Sequence, residues 1–379
     1  MKSRKIFLII FLGILFIGAL AFGAYAHLKA MHFLPEKEEV EVEIIDGSGE
    51  NASFVGAIKN KATEESLEED AEQLTVSEDD DAAEEETDDA AEENDSSYSI
   101  LPPPANKEKN ANELKIGFVT DLHVRSHSLE NGTRVLKQFF TNGINYFIEK
   151  MNSDFSPNFI LANGDMIEGT GRSSEIGKEE LSLVKKLFDR ISIKKYWVVG
   201  NHDLRSVDKK QWQKSLETDY LHKSFDAGDY RIIILDSNFN SKDEDVDPET
   251  YNTRGRISDK EMDWLQKELE SAEKPVIIFM HHPPLWDTEV APNGRFPGNA
   301  RSLQEIFSKN HVLAVFAGHL EDLYVDEIDG VKYYILPGFV KNKKYQKTFS
   351  AITVKDREIA VDMSYLTNGE KYRTIRITK

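Results

Sequence analysis

Between Ala62 and Asp95 the chain carries 18 acidic residues and not one Lys or Arg. Ala, Ser and Thr fill most of the gaps, so this stretch has too little apolar surface to offset the entropy of ordering it. A packed core has to be built elsewhere. The wider segment 36–112 holds 26 Asp and Glu against 5 Lys, a balance of −21 in a chain whose total is −20. The first 35 residues contribute four positive charges, which leaves the stretch from Glu113 onward near −3. The isoelectric point near 5 therefore describes one segment and not a folded surface. Residues 36–112 are expected to form a disordered acidic linker that reaches on the order of 50 Å as a flexible coil. Pro102-Pro103-Pro104 stiffens its exit. An acidic tail also suits a basic protein, a wall component or divalent cations as partner.

The chain begins Met1-Lys2-Ser3-Arg4-Lys5, and residues 6–26 are uncharged and almost wholly apolar. About 20 residues at about 1.5 Å each span a ~30 Å hydrocarbon core. Residues 1–35 are thus expected to hold a membrane anchor with its basic end inside, placing everything beyond it outside the cytoplasm. Ala24-Tyr25-Ala26 offers a small-x-small cleavage site, and cutting after Ala26 would make the chain a secreted one. There is no cysteine, which excludes disulfides, thiolate metal sites, thiol catalysis and acylation of a cysteine.

From Leu114 short apolar runs alternate with helical patterns, as in α/β layer folds. Expected strands are 115–120, 158–162, 196–199, 230–235, 276–280 and 312–316, with helices between them. The clearest helix spans 259–271: Ser258 and Glu261 have capping-box spacing, and Met262, Leu265 and Leu269 form one apolar stripe. After Glu321 the pattern changes to antiparallel strands at 323–328, 331–336, 349–354, 358–363 and 374–378. Asp329-Gly330 and Asn368-Gly369 supply hairpin turns.

Five polar groups stand where apolar runs end, and strand ends are where open α/β sheets bind ligands. They are Asp121-Leu122-His123, Gly164-Asp165, Gly200-Asn201-His202-Asp203, His281-His282-Pro283 and Gly318-His319-Leu320-Glu321. Taken singly, each reads as a cap, a turn or a satisfied core histidine. Five in register, with small residues beside three of them, read as a metal site. Their order and strand context resemble the calcineurin-like metallophosphoesterase superfamily, over about Glu113 to Tyr345. Arg254-Gly255-Arg256-Ile257-Ser258 leading to Trp264-Leu265 is similar to a segment of its phosphodiesterase and acid phosphatase-like branch. The resemblance implies an α/β fold for residues 113–379, a metallophosphoesterase-type β-sandwich of two mixed sheets flanked by helices.

It also implies two divalent metal ions. Asp121, His123 and Asp165 would bind the first, and Asp165, Asn201, His281 and His319 the second, with Asp165 bridging. Such a set of carboxylates, amide oxygen and imidazoles suits Mn, Fe, Zn or similar ions. The expected function is hydrolysis of phosphoric mono- or diesters by attack of a metal-bridging hydroxide. His202 matches the family histidine that protonates the leaving oxygen, and Asp203 is expected to orient its ring. His282 is expected beside the ligands rather than among them. One position departs from the family: Glu321 stands where a histidine completes the first site. A carboxylate can bind there, shifting preference toward harder metals. The alternatives are a Glu321 turned to solvent with water in its place, or a site reduced to one metal. Glu168 appears at the position of the metal-binding tyrosine of purple acid phosphatases, so a colourless protein is expected.

Substrate selection is less legible. The insert 238–256 and the segment 285–302 are expected to flank the cleft, where Trp286, Arg295, Asn299 and Arg301 could meet a phosphate or a base. No run of Lys and Arg with interleaved aromatics appears in 113–379, so no nucleic-acid groove is expected. The altered last ligand and the long acidic tether also fit an exported, non-catalytic binding or scaffold protein that keeps the phosphoesterase fold.

Overall fold

Alternation along the strands divides the apolar side chains into three layers. Strand β3 (Glu113–Val119) turns Leu114, Ile116 and Phe118 into one cluster and Val119 into another. Strand β10 (Val276–Phe279) sends Ile277 and Phe279 into that same first cluster and Val276 and Ile278 into a third. A strand can serve two layers only when both faces of its sheet are covered. The first cluster is therefore the seam between two sheets, where Phe279 stacks on Phe316 at 5.3 Å and Phe316 on Tyr334 at 4.8 Å. Truncating one such ring to Ala costs about 3–5 kcal/mol.

The computed structural model describes residues 41–45, 52–55, 113–129, 133–251, 254–286, 295–340, 344–367 and 371–378. All lie in the unit Val40–Lys379. The expected anchor at 6–26, most of the expected linker and the turn at Asn368-Gly369 fall outside them. No helix among the described residues is long and apolar enough to cross a membrane.

The first sheet runs β2 (Ala52–Val55), β1 (Glu41–Ile45), β16 (Lys371–Thr378), β15 (Glu358–Thr367), β14 (Gln346–Lys355), β3, β6 (Phe159–Asn163) and β7 (Lys195–Val198). Strands β3, β6 and β7 are parallel, and the others are antiparallel. The second sheet runs β12 (Tyr324–Ile328), β13 (Val331–Ile335), β11 (Val312–Ala317), β10, β9 (Tyr230–Ile234) and β8 (Lys223–Ala227), parallel except at both edges. Strands β4 (Ser126–Ser128) and β5 (Arg134–Leu136) form a small separate ladder. Helices α1 (Gln138–Glu149), α2 (Ser174–Asp189) and α3 (Lys209–Leu216) bury Phe147, Leu181, Val184 and Trp212 against the first sheet. Helices α4 (Asp259–Glu270) and α5 (Ala300–Lys309) bury Leu265, Leu269, Leu303 and Phe307 against the second. This is the expected pair of mixed sheets between helices.

Three local features differ from expectation. Strands β1 and β2 fall inside the segment read as unstructured, and β1 pairs with β16. The sequence alternates Glu with Val or Ile from Glu39 to Ile44, a strand period that the charge balance of the whole segment averages away. Second, only half of the capping box at α4 forms. Ser258 Oγ accepts from Glu261 N, but the Glu261 carboxylate accepts from Asp236 N at 2.8 Å, because it is buried against β9. Third, α3 carries the complete box, built by Asp208 and Gln211. The turn at Asp329-Gly330 matches expectation, with φ of 52° and 77° between the paired Ile328 and Val331.

Candidate metal centre

Parallel strands of both sheets end on one edge, and the polar groups lie in the loops just past them. Backbone bonds register these loops: Asp121 N donates to Gly164 O at 3.0 Å, His123 N to Asp165 O at 2.9 Å, and Gly318 N to His281 O at 3.1 Å. Asp121, His123, Asp165, His319 and Glu321 have φ of 53°, 42°, 52°, 68° and 59°. Side chains avoid this left-handed region at a cost of about 1–2 kcal/mol per residue. Its concentration in expected ligands marks loops shaped by a site rather than by local preference. Gly164 has φ of +91° and lies so close that a Cβ there would stand 2.5 Å from His281 Nδ1.

Each central carboxylate has one oxygen fixed and one presented. Asp121 Oδ2 accepts from Thr120 Oγ1 at 2.5 Å and from His319 N at 3.1 Å, leaving Oδ1 at 3.7 Å from His123 Nε2. Asp165 Oδ1 accepts from His202 N at 2.7 Å. Its Oδ2 lies 3.8 Å from His123 Nε2 and 3.3 Å from His281 Nε2. Asp165 thus belongs to two clusters, Asp121–His123–Asp165 and Asp165–His281–His319, each with candidate ligand atoms within 4.8 Å of one another. Asn201 Oδ1 joins the second at 3.2 Å from His281 Nε2, and Glu321 Oε1 joins the first at 2.9 Å from His123 Nε2. His281 Nδ1 faces Asn163 O at 3.0 Å. A carbonyl only accepts, so Nδ1 carries hydrogen and Nε2 faces the cluster.

The electrostatics have one cause. Burial opposes charge on Asp165, but the positive His281, His202 and His123 outweigh it and hold the carboxyl well below the usual range. Burial likewise opposes charge on His281, yet Asp165 pushes it up to about 9. Against burial, Asp121, Glu168 and Glu321 hold His123 well above the usual imidazole range. Burial and positive neighbours drive His282 and His319 well below it. In this structure protons on imidazoles balance a dense group of carboxylates, a balance that divalent cations can take over. Asp121 Oδ1 and His319 Nε2 are buried with no hydrogen-bond partner, and every candidate ligand atom is O or N. The residues present fit hard to borderline divalent ions.

The structure brings together Asp121, His123, Asp165, Asn201, His281, His319 and Glu321, and sets His202 beside them. It corrects the role expected of Asp203. That buried carboxylate accepts from Gly200 N and Ile167 N, both at 3.0 Å, and so braces two ligand loops. Burial and the charge of Asp165 push it up to about 7. The carboxylate beside the His202 ring is Glu168, 3.0 Å from Nδ1. Its offset of three from Asp165 was visible, but its direction was not. His282 Nδ1 lies 2.8 Å from Ser237 Oγ, and its ring packs 4.4 Å from that of His319. Asn299 is tied to both backbone groups of Ile257, so it braces a loop and does not face the cluster. Arg301 points outward, over exposed Trp286 and toward Glu305. Arg295 is exposed, with its charge felt at His319. Sequence reasoning missed Gly338, where a Cβ would collide with Glu321 Oε2.

Comparison with known proteins agrees with this geometry. The chain is 29% identical over 170 residues to a probable cyclic nucleotide phosphodiesterase of Rhodococcus erythropolis, covering 43% of this chain and 51% of that protein. It is 23% identical over 201 residues to the glycerophosphodiester phosphodiesterase GpdQ of Enterobacter lignolyticus, covering 50% and 65%. The chain spans about half the length of the first of these relatives and under two thirds of the second. Among solved structures, a dimetal phosphatase from Danio rerio shares the fold with a TM-score of 0.54 at 16% identity, covering 69% of this chain and 98% of that one. The family model described as calcineurin-like phosphoesterase matches residues 114–320, more than half of the chain and the stretch that carries every candidate ligand except Glu321. The chain belongs to the calcineurin-like phosphoesterase family.

Proposed function

We propose that this chain is an exported phosphodiester hydrolase that works with two divalent ions. The observation that carries the reading is the shared position of Asp165, with one oxygen between the imidazoles of His123 and His281. Asp121, His123, Asp165 and Glu321 would hold one ion, and Asp165, Asn201, His281 and His319 the other. Bound there, such ions supply Lewis acidity toward phosphoryl oxygens and a water acidic enough to attack near neutral pH. His202 is close to this set, and its Nδ1 is engaged by Glu168, so proton delivery to the leaving oxygen falls to Nε2. The names of the relatives favour diesters, and the basic-flanked apolar run at 6–26 supports a place outside the cytoplasm.

The test uses the full chain, its metal content measured after dialysis, with Mn added. Hydrolysis of bis-p-nitrophenyl phosphate faster than p-nitrophenyl phosphate supports a diesterase. The reverse order makes the chain a phosphatase. Two ions bound with neither ester cleaved would replace this reading by the non-catalytic scaffold.

A further inference from the structure

A cavity of about 500 Å³ lies between the segment after α3, the loop after β9 and the start of α4, and none of the candidate metal ligands lines it. Asp236 and Glu261 form its buried wall, at 0% and 1% exposure. The cations around it are largely committed. Lys209 Nζ lies 2.7 Å from Asp236 Oδ2 and 2.6 Å from Asp245 Oδ1, so one buried ammonium is shared by two carboxylates. Arg256 is shared in the same way by Asp243 and Asp259. Glu261 receives less. Its Oε1 accepts from Asp236 N at 2.8 Å, whereas Oε2 is buried with no hydrogen-bond partner. His222 Nδ1 faces Oε2 from 3.4 Å, on a side chain 40% exposed at the cavity wall. Burial, with the negative Asp236 beside it, pushes the Glu261 carboxyl up to about 7 against the pull of His222.

A buried carboxylate oxygen left unpaired is costly, so a group that enters to pair it gains accordingly. That group has to be positive and to carry hydrogen-bond donors. The cavity wall discriminates among such groups. Among the described residues no three ligand atoms come within 4.8 Å of one another here, which disfavours a bare metal ion. A guanidinium binds best through two oxygens at once, and Glu261 has only Oε2 to offer. A quaternary ammonium needs aromatic faces, but the rings of Tyr220 and Phe239 already carry Lys223 Nζ at 4.8 Å and Lys209 Nζ at 3.5 Å. We infer that this cavity binds a short primary alkylammonium, whose nitrogen donates to Glu261 Oε2. Binding there does not depend on hydrolysis at the metal centre.

The experiment uses the full chain with ¹⁵N-labelled histidine, loaded with Zn, at pH 8, where alkylamines are protonated. It is titrated with n-butylamine, N-acetyl-lysine methylamide, tetramethylammonium and Mg. The ring nitrogens of His222 should shift and saturate with n-butylamine and show no saturation with tetramethylammonium. Equal binding of the lysine amide assigns the site to lysine side chains as well, and weaker binding assigns it to free amines. Glu261→Gln keeps an oxygen for Asp236 N and should bind n-butylamine about 10–100-fold more weakly, with urea unfolding checking that it is folded. If that variant does not fold, the wild-type comparison of the amines still decides. A His222 that does not respond to n-butylamine leaves the cavity to water and overturns the inference. So would an equal response to tetramethylammonium, tighter saturation by Mg, or equal affinity in folded Glu261→Gln. Shifts confined to the imidazoles of the metal centre would place the amine there and likewise overturn it.

Discussion

Replacing Asp165 with Asn removes one negative charge where the two clusters meet and keeps the shape of the side chain. Oδ1 can still accept from His202 N, but the atom turned toward His123 and His281 becomes a neutral donor. In the metal-free protein His281 titrates near 9 because Asp165 outweighs the burial that works against its charge. An unfolded histidine titrates near 6.5, and the interval is worth about 3 kcal/mol. Since the folded value is the higher one, this stability is fully present below about pH 6.5 and lost as pH rises through 9. In Asp165→Asn burial acts on His281 with that partner gone. At pH 6 the chelated variant should be about 2–3 kcal/mol less stable than wild type. At pH 10 His281 is neutral in both, and the variant no longer buries an unpaired carboxylate, so the gap should close or reverse. Urea unfolding of chelator-treated protein at the two pH values measures this, and metal content after dialysis gives a second readout, expected to fall to one ion or none. A stability gap equal at both pH values, or two ions retained, would refute the reasoning.

Four further variants, at three positions, test the remaining assignments. Glu321→Gln should weaken one ion and raise the Mn concentration and pH needed for activity, whereas Glu321→His should raise tolerance of Zn; equal titrations for all three proteins would remove Glu321 from the ligand set. His202→Ala should slow turnover of alcohol esters by roughly two to four orders of magnitude and p-nitrophenyl esters less, with metal content unchanged; loss of an ion would make His202 a ligand. Asp203→Asn should cost about 1–3 kcal/mol in denaturant unfolding, because its single accepting oxygen can serve only one of Gly200 N and Ile167 N and its amide nitrogen donates. A shift in leaving-group dependence without that loss would return to Asp203 the role of orienting His202.

Much of the site was legible because chemistry and position coincided. Hard ligands at the ends of apolar runs mean the same thing whichever strands lie beside them, and the family resemblance supplied their division into two metals. The strands themselves followed from runs such as Val312–Ala317, buried throughout because the sheet is covered on both faces. Charge averaged over a long window misled at Glu39 to Ile44, where a strand period was present.

What the chain order could not decide was direction. Glu168 and Asp203 are both acids close to His202, and nearness along the chain favours the adjacent one. The structure favours the distant one, because the backbone at Asp203 turns its carboxylate onto Gly200 N and Ile167 N. Glu321 reaches His123 across 198 positions only because β11 and β3 end on one edge and Gly338 leaves room for the carboxylate. Ligand identity is a property of single residues and was written in the sequence. Which oxygen faces which nitrogen depends on left-handed loop residues braced by loops from other strands, and only the folded sheets bring those loops together.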